Sequence, residues 1–268
     1  MSRAGLPMYD LPEVRAATDA LWAGLAAALG RRGVADVPAR LTRPDNLDAL
    51  MRAPDLLFAQ TCGYPLTHGL KGCLRVVATP LYDAPENEGA NYRSLILVRA
   101  DDPAAAPADL RGRVAAVNGT ESQSGYSALR AVFAPHARAG RFFGRVVTSG
   151  AHANSLAMVA DGVADVCATD SNLHALLTRH RPAALAGLRV LARAPLAPGL
   201  PYVTRATADD DILARLRDGL FEALAAPDLA EARAALLIAG AEILPDSAYQ
   251  RILAIEREAL DLGYDRVA

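Results

Sequence analysis

Ala116-Val117-Asn118-Gly119-Thr120-Glu121-Ser122-Gln123-Ser124-Gly125-Tyr126 and Val146-Val147-Thr148-Ser149-Gly150-Ala151-His152-Ala153-Asn154-Ser155 set out one local plan twice. A short apolar run reads as a strand. A turn of small and hydroxylic residues follows, and an apolar-periodic segment then reads as a helix. The spacing predicts strand Val114–Val117 before helix Ser122–Phe133, and strand Arg145–Thr148 before helix Ala153–Ala160. It also predicts strand Val166–Thr169 before helix Asn172–Arg179. Strands alternating with helices imply an α/β class with a mostly parallel sheet.

Outward from this block the alternation continues. Toward the N-terminus, Leu6–Tyr9 reads as a strand and Pro12–Gly30 as a helix with Leu21, Leu25 and Leu29 on one face. Pro38–Thr42, Asp55–Gln60, Leu74–Thr79 and Arg93–Arg99 read as strands, and Leu47–Arg52 as a short helix. Toward the C-terminus, Leu188–Ala192 and Tyr202–Thr204 read as extended. Three helices and no strong strand follow: one carrying Ile212, Leu213, Leu216, Leu220, Phe221 and Leu224 on one face, then Leu229–Ala239 and Ala248–Leu262. The expected organisation is two lobes, residues 1–97 with 192–268 and residues 98–191, joined by extended crossings near 93–99 and 188–204 in a hinge arrangement.

Composition narrows the function classes. The chain has 268 residues, 52% of them apolar, and a formal charge of −2. That supports a sizeable core and excludes a protein built mainly to grip nucleic acid or anionic lipid. Lys71 is the only lysine, so Schiff-base chemistry would need that residue. Cys62, Cys73 and Cys167 form no zinc pattern, and neither a metal nor a cofactor is expected. No apolar run approaches the ~20 residues of a membrane span. The opening MSRAGLPMYDLPEV has one arginine and no apolar core, so it does not read as a secretory signal. The expectation is a chain that stays where it is made, or a mature form whose leader has been removed.

In open α/β sheets ligands bind beyond the carboxyl ends of strands. Four such junctions carry hydroxylic or ionisable side chains. Ser122, Gln123 and Ser124 open a helix, where backbone N–H groups and hydroxyls suit a tetrahedral oxyanion, and Gly125 permits close approach. Thr120-x-x-Gln123 equally fits a capping box. His152 lies in the turn before the next helix and can donate to an anion near neutral pH. Tyr64, in Gln60-Thr61-Cys62-Gly63-Tyr64-Pro65, can wall a cleft. Asp170 can meet a cationic group on a ligand or cap the helix after it.

The arrangement resembles the phosphate, phosphite and phosphonate solute-binding proteins of ABC importers, a branch of the type 2 periplasmic-binding-protein fold. The likeness is carried by LPMYDLPEVRAATDALW (6–22), DLLFAQTCGYPL (55–66), NYRSLILVR (91–99), AVNGTESQSGYSALR (116–130) and VVTSGAHANSLAMVADGVADVCATD (146–170). It implies two lobes, each a mixed sheet flanked by helices, closing on a small anionic ligand that is handed to a membrane permease. It implicates Ser122, Gln123, Ser124 and His152 as holders of the anion, Tyr64 and Tyr92 as cleft tyrosines, and Asp170 as the partner of a ligand amine. Tyr9 joins them from its place at a strand terminus. Gln123 stands where the family often has threonine, which removes one hydroxyl donor. The family implies a periplasmic location, and a monomer is expected.

The competing expectation is a cytoplasmic enzyme on the same fold, similar to the menaquinone-biosynthesis enzymes of the futalosine route. His152 would then be a general base, with Asp170 or Cys62 nearby.

Overall fold

The computed structural model describes residues 2–268. Its strands in chain order are β1 (Arg3–Gly5), β2 (Leu56–Gln60), β3 (Leu74–Tyr82), β4 (Asn91–Tyr92), β5 (Ser94–Arg99), β6 (Val114–Val117), β7 (Arg145–Thr148), β8 (Val166–Asp170), β9 (Leu188–Arg193), β10 (Ala197–Pro198), β11 (Tyr202–Arg205) and β12 (Ile238–Glu242). The α-helices are α1 (Arg15–Arg31), α2 (Leu47–Met51), α3 (Gly63–Thr67), α4 (Ala128–Phe133), α5 (His152–Ala160), α6 (Ser171–His180), α7 (Asp210–Ala225), α8 (Ala230–Ala235) and α9 (Gln250–Asp261). The chain divides into two compact units. Unit 1 is Met1–Asp83 with Pro198–Ala248, and unit 2 is Ala84–Ala197 with Tyr249–Ala268.

Unit 1 is a five-stranded sheet in the order β1-β2-β11-β3-β12. β1 and β2 are parallel, β11 runs antiparallel to both β2 and β3, and β12 runs antiparallel to β3. Helix α1 forms because Leu21, Trp22, Leu25, Ala28 and Leu29 recur at helical spacing, and that face is buried. Pro12 sits in a 3-10 turn leading into it. Trp22 stacks obliquely on Phe58, with centroids 6.0 Å apart, and donates its indole N–H to Pro38 O at 3.0 Å. Helix α7 starts at Asp209, whose carboxylate accepts from Ile212 N at 2.8 Å, with Asp210 and Asp211 in the first turn.

Unit 2 is a five-stranded sheet in the order β7-β6-β8-β5-β9. β6 lies parallel to β7 and β8, so all three point their carboxyl ends the same way. β5 is antiparallel to β8 and β9. The core is Ile96, Val98, Leu110, Leu129, Phe133 and Phe142 with their neighbours. Helix α9 belongs here. Ala259 and Tyr264 join this core, Arg130 pairs with Glu256 at 2.7 Å, and Phe142 N and Phe143 N donate to Ala268 O.

Several expectations change. Both sheets are mixed rather than mostly parallel, because β5, β11 and β12 return antiparallel. The first strand is Arg3–Gly5, so Leu6–Tyr9 lies beyond it. Pro38–Thr42 is not extended in a sheet. Leu229–Ala239 is not one helix: α8 ends at Ala235, Leu237 takes φ of 57°, and β12 begins at Ile238. An alanine-rich run hid that strand. The unit boundaries fall at 83/84, 197/198 and 248/249. Of the expected crossings, 93–99 supplies β5, paired with β9 (Leu188–Arg193) within the sheet of unit 2, while the boundary at 197/198 falls inside the other, 188–204.

Two glycines set helix spacing in unit 1. A Cβ on Gly24 of α1 would lie 2.3 Å from Leu229 Cδ1, and one on Gly219 of α7 would lie 2.6 Å from Leu29 Cδ2. Alanine gains about 1 kcal/mol of helix propensity at such a site, while overpacking costs about 1–3 kcal/mol. Gly24→Ala and Gly219→Ala should therefore each lower the thermal midpoint in calorimetry, and a raised midpoint would contradict this packing. In unit 2, Glu256→Ala leaves the Arg130 guanidinium, whose side chain is 4% exposed, without its carboxylate. A loss of about 3 kcal/mol is expected, and a neutral effect would contradict the docking of α9 described here.

Candidate ligand-binding site

The carboxyl ends of β6 and β8 lead directly into the polar junctions of unit 2. After β6 the chain turns through Asn118 and enters a π-helical turn, Gln123–Ser127, continuous with α4. Ser122 is the N-cap. Its Oγ accepts from Gly125 N at 3.0 Å, and its carbonyl accepts from Ser127 N. The cap is thus Ser122 rather than Thr120. Gly125 is required by close approach. A Cβ there would lie 2.0 Å from Asn118 Oδ1 and 2.9 Å from His152 Cε1.

His152 is the first residue of α5, and its side chain is 15% exposed. Its Nδ1 lies 3.1 Å from Ala168 O on β8. A carbonyl only accepts, so Nδ1 carries the hydrogen, and in the neutral ring Nε2 is an acceptor. Ser124 Oγ lies 2.9 Å from Nε2 and donates to it. Asn118 Nδ2 approaches Nε2 at 3.5 Å, and Asp170 Oδ2 at 4.0 Å. Burial lowers the imidazole pKa below its ordinary value, and it outweighs the opposing pull of Asp170 and of the Ala168 carbonyl. The free site therefore holds a neutral histidine.

Asp170 fills the capping role. Oδ1 accepts from Leu173 N at 2.7 Å and caps α6, while Oδ2 is the oxygen nearest His152. Beside it, Ser171 Oγ donates to Asn87 Oδ1 at 2.6 Å, and Asn87 Nδ2 donates to Asn172 Oδ1 at 2.7 Å. These amide contacts pin the start of α6 to the segment after Ala84.

Of the eight expected site residues, Ser124, His152 and Asp170 converge on one ring nitrogen, and Ser122 and Gln123 belong to the same turn. Gln123 is 2% exposed, and its Oε1 is buried with no donor from the protein. Tyr92 lies on β4 of unit 2 and is 2% exposed. Tyr9 and Tyr64 belong to unit 1. Tyr9 lies past the end of β1, edge-on to Tyr82 with centroids 5.3 Å apart, and it lines a small cavity with Gln60 and Tyr202. Tyr64 opens into α3, its ring stacked on His68 at 3.8 Å. Asn118 was missed as a site residue. Its signal was available: it is the first residue beyond a strand whose end meets a helix start. Among the described residues no cluster of three or more His, Cys, Asp or Glu could hold a metal ion. The Cys167 thiol, buried in β8, is pushed up to about 12 by burial and is no nucleophile. No helix among the described residues is long and apolar enough to cross a membrane.

The comparisons with known proteins agree with one another. The family described as "ABC transporter, phosphonate, periplasmic substrate-binding protein" matches residues 4–249. No curated protein matches the chain in sequence. Among solved structures, a binding protein component of an ABC phosphonate transporter from Pseudomonas aeruginosa superposes with a TM-score of 0.78 at 18% identity, covering 98% of this chain and 87% of that one. PhnD1 from Prochlorococcus marinus, solved in complex with methylphosphonate, gives 0.77 at 14% identity over 98% of each chain. XAC2383 from Xanthomonas citri, bound to chloride ion, gives 0.73 at 16% identity over 98% of each chain. At these identities the likeness carries the fold, that of two-lobed periplasmic binding proteins. The family is one of substrate-binding proteins, and the enzyme reading built on His152, Asp170 and Cys62 finds no support in it. The chain belongs to the phosphonate family of periplasmic substrate-binding proteins of ABC transporters.

Proposed function

We propose that the chain binds a small phosphonate-like oxyanion at the start of the helix that Ser122 caps, with Ser124 and His152 as the side chains that hold it. The observation that carries this reading is the Ser124–His152 contact at 2.9 Å, closed over Gly125 where no side chain fits. The first turn of a helix has N–H groups with no intrahelical acceptor. Ser122 takes the one on Gly125, and the helix dipole favours an anion beside the rest. Hydrogen bonds made to a charged group are worth about 1.5–3 kcal/mol each. A few such donors give useful affinity without a lysine or arginine in the cluster.

Asp170 and the amides of Asn118 and Gln123 border the same turn. Tyr9, Tyr64 and Tyr92 are proposed contacts for the organic part of the ligand, with Tyr64 first because its ring stays partly exposed. The family implies a permease partner. The chain is proposed to act as a monomer in the periplasm, binding its ligand tightly and leaving it unchanged.

Calorimetric titration with methylphosphonate, phosphite and phosphate tests the reading. At least one should bind with no turnover, and a protein that binds none of them would overturn it. Ser124→Ala should weaken the binding by about 10–100-fold. Gly125→Ala should weaken it further, because Asn118 and His152 must both move, while the fold persists by circular dichroism. An unchanged affinity in both variants would place the ligand elsewhere. In the free protein, the His152 imidazole should titrate below its ordinary value of 6.5 in NMR, with the hydrogen on Nδ1. A midpoint above that value would contradict the neutral histidine.

A further inference from the structure

The turn from Ser122 to Ser127 is an irregular piece of helix. Ser127 N donates to Ser122 O, five residues back, at 3.0 Å, and Ala128 N donates to Gln123 O. Such π-helical turns are rare, occur singly and gather at functional sites. The side chains inside this one give it little hold. Gly125 has none, and Ser127 Oγ and Gln123 Oε1 are buried with no hydrogen-bond partner in the protein. The hydroxyls of Ser122 and Ser124 are committed to Gly125 N and to His152. Tyr126 remains.

Tyr126 reaches the segment that follows α9. Its ring packs on the core of unit 2, and its Oη accepts from Val267 N at 3.2 Å. Arg130, four residues on and so on the same face, lays its guanidinium over that ring, 5.9 Å from the centroid. Arg130 in turn donates to Asp265 O at 2.8 Å and to Glu256 at 2.7 Å. This is a costly way to hold a helix. A buried guanidinium and carboxylate lose much of their attraction to desolvation, and Arg130 Nε is buried without an acceptor. What these contacts secure is geometry. A carboxylate, a carbonyl and an N–H of the segment 256–267 fix one face of the turn and of α4. The residue before Tyr126 is Gly125, where a Cβ would lie 2.9 Å from His152 Cε1 and 2.0 Å from Asn118 Oδ1. A shift of Tyr126 passes through the backbone to Gly125, and from Gly125 to the ring.

We propose that Tyr126 is a positioning residue. Anchored by the segment from Glu256 to Val267, it sets Gly125 and Ser124 against the His152 ring and so fixes the Ser124–His152 hydrogen bond. Its effect on affinity rests on the reading of that cluster as the anion site. Helix α9 and the residues after it thereby serve the site at second hand, through Tyr126 and Arg130.

Two measurements on the full chain test this in Tyr126→Phe, which keeps the ring and removes the hydroxyl. One is the nitrogen NMR resonance of His152 Nε2 in the free protein, which reports the hydrogen bond from Ser124. The other is the dissociation constant for methylphosphonate, phosphite or phosphate, whichever binds tightest, by titration calorimetry. Tyr126→Phe should move the Nε2 resonance toward its position in Ser124→Ala and weaken binding about three- to tenfold. Tyr126→Leu, which also takes the ring from under Arg130, should move both further. Gly24→Ala, which strains the packing of unit 1, should lower the thermal midpoint and leave the Nε2 resonance in place. If either signal stays at its wild-type value in Tyr126→Phe, the residue serves the fold alone, and the inference is overturned whatever the midpoint does. If the unaltered protein binds none of the three anions, the anion site is wrong, and the Nε2 resonance alone then decides whether Tyr126 sets the histidine's hydrogen bond.

Discussion

A histidine ring held at both ends organises the polar edge of the sheet in unit 2. His152 Nδ1 gives its hydrogen to a carbonyl of β8, and Nε2 receives the hydroxyl of Ser124 from the helix start after β6. Two neighbouring parallel strands and two helix starts are thereby tied through one side chain. The tie fixes the tautomer and sets the ring against Gly125, while burial lowers the imidazole pKa against the pull of the Ala168 carbonyl. Breaking either contact would release the ring and with it the shape of the turn from Ser122 to Ser127.

This arrangement follows from the sheet beneath it. Because β6, β7 and β8 are parallel, their carboxyl ends emerge together and each delivers a helix start to the same edge. The antiparallel strands β5 and β9 complete the sheet without disturbing that edge. Neutral donors and peptide dipoles gathered at that edge are what the proposed anion site rests on.

Much of this was legible in the residues. The strand–turn–helix units at 114–133, 145–160 and 166–180 are strongly periodic, and the structure forms them within a residue or two. Ser122, Ser124, His152 and Asp170 could be named because each follows a strand. Other features left weaker traces. The strand at Ile238–Glu242 is made of alanine, glycine and isoleucine and is defined by pairing with β3, a contact remote in sequence. The first strand is three residues long and exists because β2 lies beside it. Unit membership of α9 depends on the Arg130–Glu256 pair and on Tyr264, neither of which shows as a pattern. Asn118 was quoted within its motif yet not singled out. Its role comes from the tautomer of a histidine more than thirty residues away.

The central claim is that the anion sits where the Ser124 hydroxyl meets His152 Nε2. A crystal structure of the protein with methylphosphonate measures this directly. The account predicts one phosphonate oxygen within hydrogen-bond distance of both Ser124 Oγ and His152 Nε2, with Nδ1 still on the Ala168 carbonyl. A phosphonate bound elsewhere, with the Ser124–His152 hydrogen bond intact at its present length, would contradict it.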